Sequence, residues 1–372
     1  MRILLDYRPA LRQRTGVGEY AHELARALTL TSPGSDEEII LFSASWKDRL
    51  GTAPFAGVRL LDRRIPNRVL NFGWHRLGWP SIESLAGGAV DVAQAFHPLR
   101  LPSRQAAQLV TIHDLDFLDH PERTVREIRR DYAALAPDHA RRAHHVIVNS
   151  ETTGRDVQAR LGVPAARITV CSPGEPSWAR RDREPDTAGC LLFLGTLEPR
   201  KNVEMLLDAY ERLRVARPDA PPLVLAGAAG PGSASLLTRV RYPPLAGHVE
   251  LPGYIAPDAR EALYRRALIL IMPSHTEGFG MPVLEAMTVG VPVVIADRGA
   301  LPEVAAAAGR LFEPDDVPRL ADILGDLLAS PERRTAMREA GWRRAAAYSW
   351  RSSADRLRGA WTEAIARRGR HG

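Results

Sequence analysis

The chain is predicted to be an α/β protein with two doubly wound Rossmann-like domains facing across a cleft. Three observations carry this. Short apolar strands alternate with helical stretches along both halves of the chain. One stretch, EPSWARRDREPDTAG at 175–189, breaks the alternation with proline and charge and reads as an interdomain linker. The 372 residues are more than a single core usually takes. The first domain is therefore placed at 1–175 and the second at 188–350.

In the first half, RILLD is a short apolar strand, and Gly16 and Gly18 precede a helical pattern with Tyr20, Leu24, Ala27 and Leu28 on one face. Position 21 is Ala, so a full G-x-G-x-x-G is absent and a dinucleotide site is not indicated. EEIILFSA is the second strand. VLNFGWHRLGWPSIESL follows, with Phe72, Trp74, Leu77 and Trp79 in the most aromatic part of the chain. A helix packing an apolar face on the core is the first reading, and an amphipathic edge touching lipid or acceptor is the second. VDVAQAF and QLVTIHD are buried parallel strands. The latter places His113 at a strand's carboxyl end, where ligands of open α/β sheets gather. A basic stretch with Arg126, Arg129, Arg130, Arg141 and Arg142 reads as a solvated helix face or a membrane-surface contact. Ser150 is a candidate N-cap for the next helix, and ARITVCSPG is the last strand of this half.

The second half restarts with CLLFLGTLEPRKNVEMLLDAYERL, a strand, loop and helix. Arg200 and Lys201 precede that helix. Two cations at a helix start oppose the helix dipole, so a diphosphate is the better explanation for them. PPLVLAGAAGPG and VELPGYIAPDAREALYRRA follow, with Tyr254 and Ile255 just after a strand. Then LILIMPS gives way to HTEGFGMPVLEAM. Gly278 and Gly280 lie where strand becomes helix, so an anion can approach unpaired amides at the electropositive helix start. Glu277 stands before the helix and Glu285 inside it. Carboxylates beside an anion are better used to accept hydrogen bonds from hydroxyls. A phosphate seat with two hydroxyl acceptors describes a nucleotide-sugar site.

EGFGMPVLEAMTVGVPVV resembles the E-x7-E motif of retaining glycosyltransferases with the GT-B fold, in particular family four. The likeness runs from the first strand to the last helix and is densest in the second half. It implies a donor site against Gly278, Phe279, Gly280 and Met281, with Glu277 on sugar hydroxyls and Glu285 on the ribose. GTLEPRKN resembles the family's basic motif, with Lys201 in its lysine position. Many relatives carry Arg directly after the glycine, where this chain has Thr196, so either Arg200 takes over that charge or the diphosphate is held by fewer cations. TGVGEY resembles the first phosphate-facing loop, with Gly16 and Gly18 near the sugar diphosphate. His113 matches a histidine close to the transferred sugar, and Tyr254 and Ile255 fall where the base is received. The likeness also implies a last helix, 351–368, that returns to the first domain. It implies attack from the leaving-group face, with the diphosphate taking the acceptor's proton. Asp114-x-Asp116 spells the D-x-D of metal-dependent transferases of another fold and is read as coincidence. No metal and no cofactor are expected beyond the donor substrate. The early RTGVGEY and later GTLEPRKN lean towards GDP-mannose.

Composition sets the limits. The net charge of +6 suits an anionic substrate, nucleic acid or an anionic membrane surface, or only an arginine-rich proteome. No apolar run approaches the ~20 residues that span a bilayer. MRILLDYRPAL is a strand, not a signal peptide. Cys171 and Cys190 are the only cysteines, which favours a reducing cytoplasm. Expected partners are a nucleotide-sugar donor, a glycan or lipid-linked acceptor and a peripheral contact at the inner membrane face, and no nucleic acid. One rival is an NAD-dependent oxidoreductase, which needs a glycine fingerprint and an acidic residue that 43–46 do not supply. Another is a carbohydrate- or membrane-binding protein without turnover, against which Glu277, Glu285, Lys201 and His113 argue.

Overall fold

The structure, a computed structural model, describes residues 1–11, 14–31, 36–121, 126–185 and 189–369, with the backbone alone for 126–130. The chain divides into two compact units, Met1–Gly174 with Ser349–Gly372, and Glu175–Tyr348. In the first, β1 (Arg2–Asp6), β2 (Glu38–Ala44), β3 (Val58–Arg63), β4 (Val92–Ala95), β5 (Ala107–Ile112), β6 (His145–Val148) and β7 (Ile168–Val170) form one parallel sheet in the order β3-β2-β1-β4-β5-β6-β7. In the second, β8 (Cys190–Leu194), β9 (Leu223–Ala226), β10 (Val249–Gly253), β11 (Ala267–Met272), β12 (Val293–Ala296) and β13 (Gly309–Phe312) run in the order β10-β9-β8-β11-β12-β13, again parallel. The expected doubly wound α/β class is what the chain adopts. The central segments ILL (3–5), ILIM (269–272) and VVIA (293–296) are buried throughout, which is why they read as unbroken apolar runs.

Each sheet reverses direction at one point, between β1 and β4 in the first unit and between β8 and β11 in the second. Connections from these neighbours leave in opposite directions, and the gap at their carboxyl ends is where such sheets bind ligands.

Three local features differ from the sequence expectation. β3 was not anticipated: VRLLDR is an edge strand and only Leu61 is fully buried, so it lacks an apolar run. Of the stretch expected to be a linker, 175–185 packs on the second unit, and 186–188 lie outside the described residues. Arg181 is buried and donates to the carbonyls of Gly290, Arg265 and Ala267, while Arg334 makes two bonds of 2.6 and 2.7 Å to Glu184. Charge without periodicity looks like a linker until backbone carbonyls are found to receive it. In the aromatic stretch, Trp74 is buried, but Phe72, Leu77 and Trp79 are exposed. Of the basic stretch, Arg141 and Arg142 are exposed, and the side chains of Arg126, Arg129 and Arg130 lie outside the described residues.

The helix Trp350–Arg368 completes the first unit. Leu357 and Trp361 are buried in its core, and Arg358 reaches the Leu28 carbonyl, Thr31 and Glu37.

Five histidines of the first unit, His22, His75, His113, His139 and His145, have pKa values pushed down to about 4, with burial the leading cause in each. An unfolded chain would protonate them near their ordinary 6.5. Between those values the unfolded state binds more protons, so stability falls as pH drops through 6.5 and the loss is complete near 4. Amide protection factors measured from pH 7 down to 4.5 are expected to collapse in β1–β7 before β8–β13. The reverse order would contradict this assignment.

Candidate active site

In the second unit, β8 and β11 lie side at the reversal point and hand over two loops. The loop after β8 ends in a single tight turn, Pro199–Lys201, and Asn202 then takes a left-handed conformation (φ 54°) to start the helix Val203–Ala216. The loop after β11 carries 273–280. The two are zipped by the His275 amide donating to the Arg200 carbonyl at 2.9 Å. This brings Lys201 and Glu277 together. Lys201 Nζ donates to Glu277 Oε1 at 2.5 Å, Ser274 Oγ donates to the same oxygen at 2.7 Å, and Arg200 Nη1 stands 3.5 Å from Oε2. Arg200 is also held by Glu198 and by the Thr276 carbonyl. Glu277 and Lys201 are buried. Burial alone would raise the Glu277 pKa. Lys201 and Arg200 beside it, with the hydrogen bonds from Lys201 and Ser274, outweigh burial and hold it below the usual carboxylate range. The result is an ionised glutamate between two cations.

Two glycines make this geometry attainable. Gly280, at φ 95°, turns the chain into the helix Met281–Val289, and a Cβ there would stand 2.6 Å from a Leu301 methyl. Gly299, at φ 57°, lets the loop after β12 lie against Glu277, where a Cβ would be 2.6 Å from the Glu277 carbonyl oxygen. Ala300 then donates its amide to that carbonyl at 2.9 Å. The Glu277 backbone is thereby fixed from both sides.

The helix Met281–Val289 carries Glu285 inward. Its carboxylate is buried, accepting from Tyr264 Oη at 2.7 Å and from Arg260 Nη1 at 3.2 Å, both on the helix Pro257–Arg266. The Tyr264 phenol is pushed well up by burial first and the Glu285 charge second, so it stays a donor. Phe279 faces the core and meets the Tyr348 ring edge-on at 5.4 Å. Met281, Tyr254 and Ile255 are half-buried.

In the first unit, Gly16 is the first residue of the helix Gly16–Leu30 and is exposed, with open space where a Cβ would be. Gly18 has a packing role: a Cβ would lie 2.6 Å from the Pro9 carbonyl oxygen. His113 follows β5. Its Nε2 lies 3.3 Å from the Phe96 carbonyl and its Nδ1 3.4 Å from Asn149 Nδ2, which fits a neutral ring protonated on Nε2. The buried Tyr20 ring meets it edge-on at 5.1 Å. Asp114 accepts the Asp116 amide at 3.2 Å, a local turn that opens the short helix Asp116–Asp119.

The sequence pattern described as "Glycosyl transferases group 1" matches residues 175–344, and "Glycosyltransferase Family 4" matches residues 14–174. The chain belongs to glycosyltransferase family four. It is a retaining transferase of the GT-B fold that takes a nucleotide-sugar donor and an acceptor. O-antigen chain mannosyltransferase B of Escherichia coli is 26% identical over 381 residues, covering 94% of this chain and 96% of its own. MMP alpha-(1->4)-mannosyltransferase of Mycolicibacterium hassiacum is 30% identical over 61% of this chain and 56% of its own. Among solved structures, sucrose-phosphate synthase from Thermosynechococcus elongatus superposes with a TM-score of 0.78 at 19% identity, covering 98% and 99% of the two chains. WaaG, a glycosyltransferase involved in lipopolysaccharide biosynthesis, does so with 0.70 at 16%, covering 96% and 98%. At such identities these two speak for the fold alone.

In this family-four chain, Glu277 and Glu285 also have partners that the sequence did not single out. Ser274 touches Glu277 directly, while Arg260 and Tyr264 orient Glu285. A small polar residue at a strand's carboxyl end was the available signal for Ser274. Arg260 and Tyr264 gave none, since a helix with alternating charge and one aromatic is ordinary.

Proposed function

We propose that the enzyme moves a hexose from a nucleotide-diphosphate sugar, with GDP-mannose the favoured donor, to a glycan or lipid-linked acceptor in polysaccharide or glycoconjugate synthesis. The observation that carries this is the buried Lys201–Glu277–Ser274 group with Arg200 at the reversal point of the second sheet. Negative charge grows on the leaving diphosphate as the sugar bond breaks. Arg200, Lys201 and the helix start at Gly280 offer fixed positive potential to it. Glu277 accepts from sugar hydroxyls, Glu285 from the ribose, and His113 serves a sugar hydroxyl as a neutral imidazole. The nucleotide-sugar choice draws support from the full-length likeness to a mannosyltransferase. Free, buried Cys171 and Cys190 support a reducing cytoplasm, with the enzyme working peripherally at the inner membrane face.

A thermal-shift screen of nucleoside diphosphates and their sugars tests the reading. A ligand at about 100 times its dissociation constant stabilises by about 2.7 kcal/mol. GDP and GDP-mannose are expected to raise the melting point. Stabilisation by NAD and by no nucleoside diphosphate would overturn the proposal. Donor turnover is expected to persist in excess chelator, because side chains and helix amides balance the diphosphate charge. A loss that Mn2+ or Mg2+ restores would return Asp114 and Asp116 to consideration as ligands.

A further inference from the structure

The helical stretch after β3 has a shape that its packing does not require. The helix Asn67–Phe72 runs straight into a wider turn, Gly73–Leu77, and stops at a left-handed Gly78. Leu70, Gly73 and Trp74 face inward and are buried. Apolar side chains are also turned to solvent, beside the exposed Arg68 and Arg76. Val69, Phe72, Leu77 and Trp79 are 62%, 58%, 67% and 67% exposed, the densest group of exposed large apolar side chains among the described residues. Trp46 is exposed too, with the Arg64 guanidinium 4.4 Å over its ring.

This outer face is held in place. The Trp79 amide donates to the Gly73 carbonyl at 3.2 Å, and Trp74 Nε1 donates to the Pro80 carbonyl at 3.0 Å. A Cβ on Gly73 would stand 2.5 Å from the Trp79 carbonyl oxygen, so the turn closes flat against the helix. Arg64, Arg68 and Arg76 are exposed, and no Asp or Glu occurs between Asp62 and Glu83.

We propose that this face, Val69, Phe72, Leu77 and Trp79 ringed by Arg64, Arg68 and Arg76, seats the enzyme on an anionic lipid bilayer. A helix lying in the interfacial plane needs an apolar face with aromatic rings and flanking cations, and it needs no spanning length. No helix among the described residues is long and apolar enough to cross a membrane. A second copy of the chain is a poorer occupant. A two-fold contact would set the arginines of one face against those of the other. The proposal deepens the lipid-linked part of the proposed function, and its binding assay contains neither donor nor acceptor, so that the two can fail separately.

The test is flotation of the full chain with phosphatidylcholine vesicles, with and without phosphatidylglycerol, alongside turnover on a water-soluble acceptor. Binding is expected to need phosphatidylglycerol and to blue-shift tryptophan emission. The combined variant Phe72→Ser, Leu77→Ser, Trp79→Ser is expected to bind about tenfold more weakly or less, with melting point and soluble-acceptor turnover unchanged. Arg68→Gln with Arg76→Gln is expected to reduce the preference for the charged lipid. Failure of the parent to bind, or equal binding by the triple variant, would overturn the proposal. So would self-association of the parent, without vesicles, that the triple variant abolishes.

Discussion

Lys201→Ala is expected to lower donor turnover roughly a hundredfold while the protein still folds, since removing one preorganised charge from a developing anion costs about 3 kcal/mol of barrier. The structure adds a second consequence. Lys201 is one of the two cations that keep buried Glu277 ionised. With it gone, burial gains weight and the Glu277 pKa rises. Turnover by the variant should therefore climb with pH over a range where the parent is flat. Arg200→Ala should also slow turnover strongly, but with less effect on the pH profile, because Arg200 sits 3.5 Å from Glu277 and is shared with Glu198. Stopped-time donor hydrolysis and transfer, measured from pH 5.5 to 9 with melting curves in parallel, decide the matter. Parent-like turnover in both variants would remove these cations from the mechanism.

Glu285→Gln and Glu277→Gln are expected to part company in calorimetric titrations with a bare nucleoside diphosphate. Under the proposed roles, Glu285 accepts from ribose hydroxyls. Its amide replacement keeps the shape but loses a charge-assisted acceptor worth about 1.5 to 3 kcal/mol, or roughly ten- to a hundredfold in affinity. Tyr264→Phe should act in the same direction and more weakly, because it removes only the 2.7 Å bond that orients the carboxylate. Glu277 behaves otherwise. The bare diphosphate has no sugar for it to hold, and its neutralisation leaves Lys201 and Arg200 with more positive charge to offer. Affinity for the bare ligand should stay level or tighten, while turnover of the complete donor falls. Equal losses of diphosphate affinity in both variants would end the division of labour between these two glutamates.

Much of this was legible in the chain itself, for a physical reason. Parallel strands covered on both faces must be apolar throughout, so runs such as LILIM stand out locally. The glycines and glutamates at 277–285 also lie within one strand-to-helix turn, and their spacing is readable without tertiary information. What escaped was assembled by the sheet order. Ser274, Lys201 and Glu277 meet because β8 and β11 are neighbours, and no local pattern states that. Arg260 and Tyr264 reach Glu285 from a different helix. At 69–79 the pattern is ambiguous in principle, since apolar residues on both sides of a helix give no phase that separates core from surface. Gly18 shows a related ambiguity. A missing Cβ serves close approach by a phosphate or by a neighbouring carbonyl equally well, and here the Pro9 carbonyl occupies the space.

The helix Trp350–Arg368 gives the chain an unusual order of assembly. Its Trp361 and Leu357 fill a core whose first strand begins at Arg2. A nascent chain thus exposes β1–β7 long before the segment that covers them has been made. Glu175–Tyr348 is contiguous and has all its strands by then. The second unit is therefore expected to close first, inverting the usual order in which the amino-terminal domain folds first during synthesis. A chain ending at Tyr348 would keep the second unit whole and leave the first with an open apolar flank, a species for chaperones and proteases rather than a shorter enzyme.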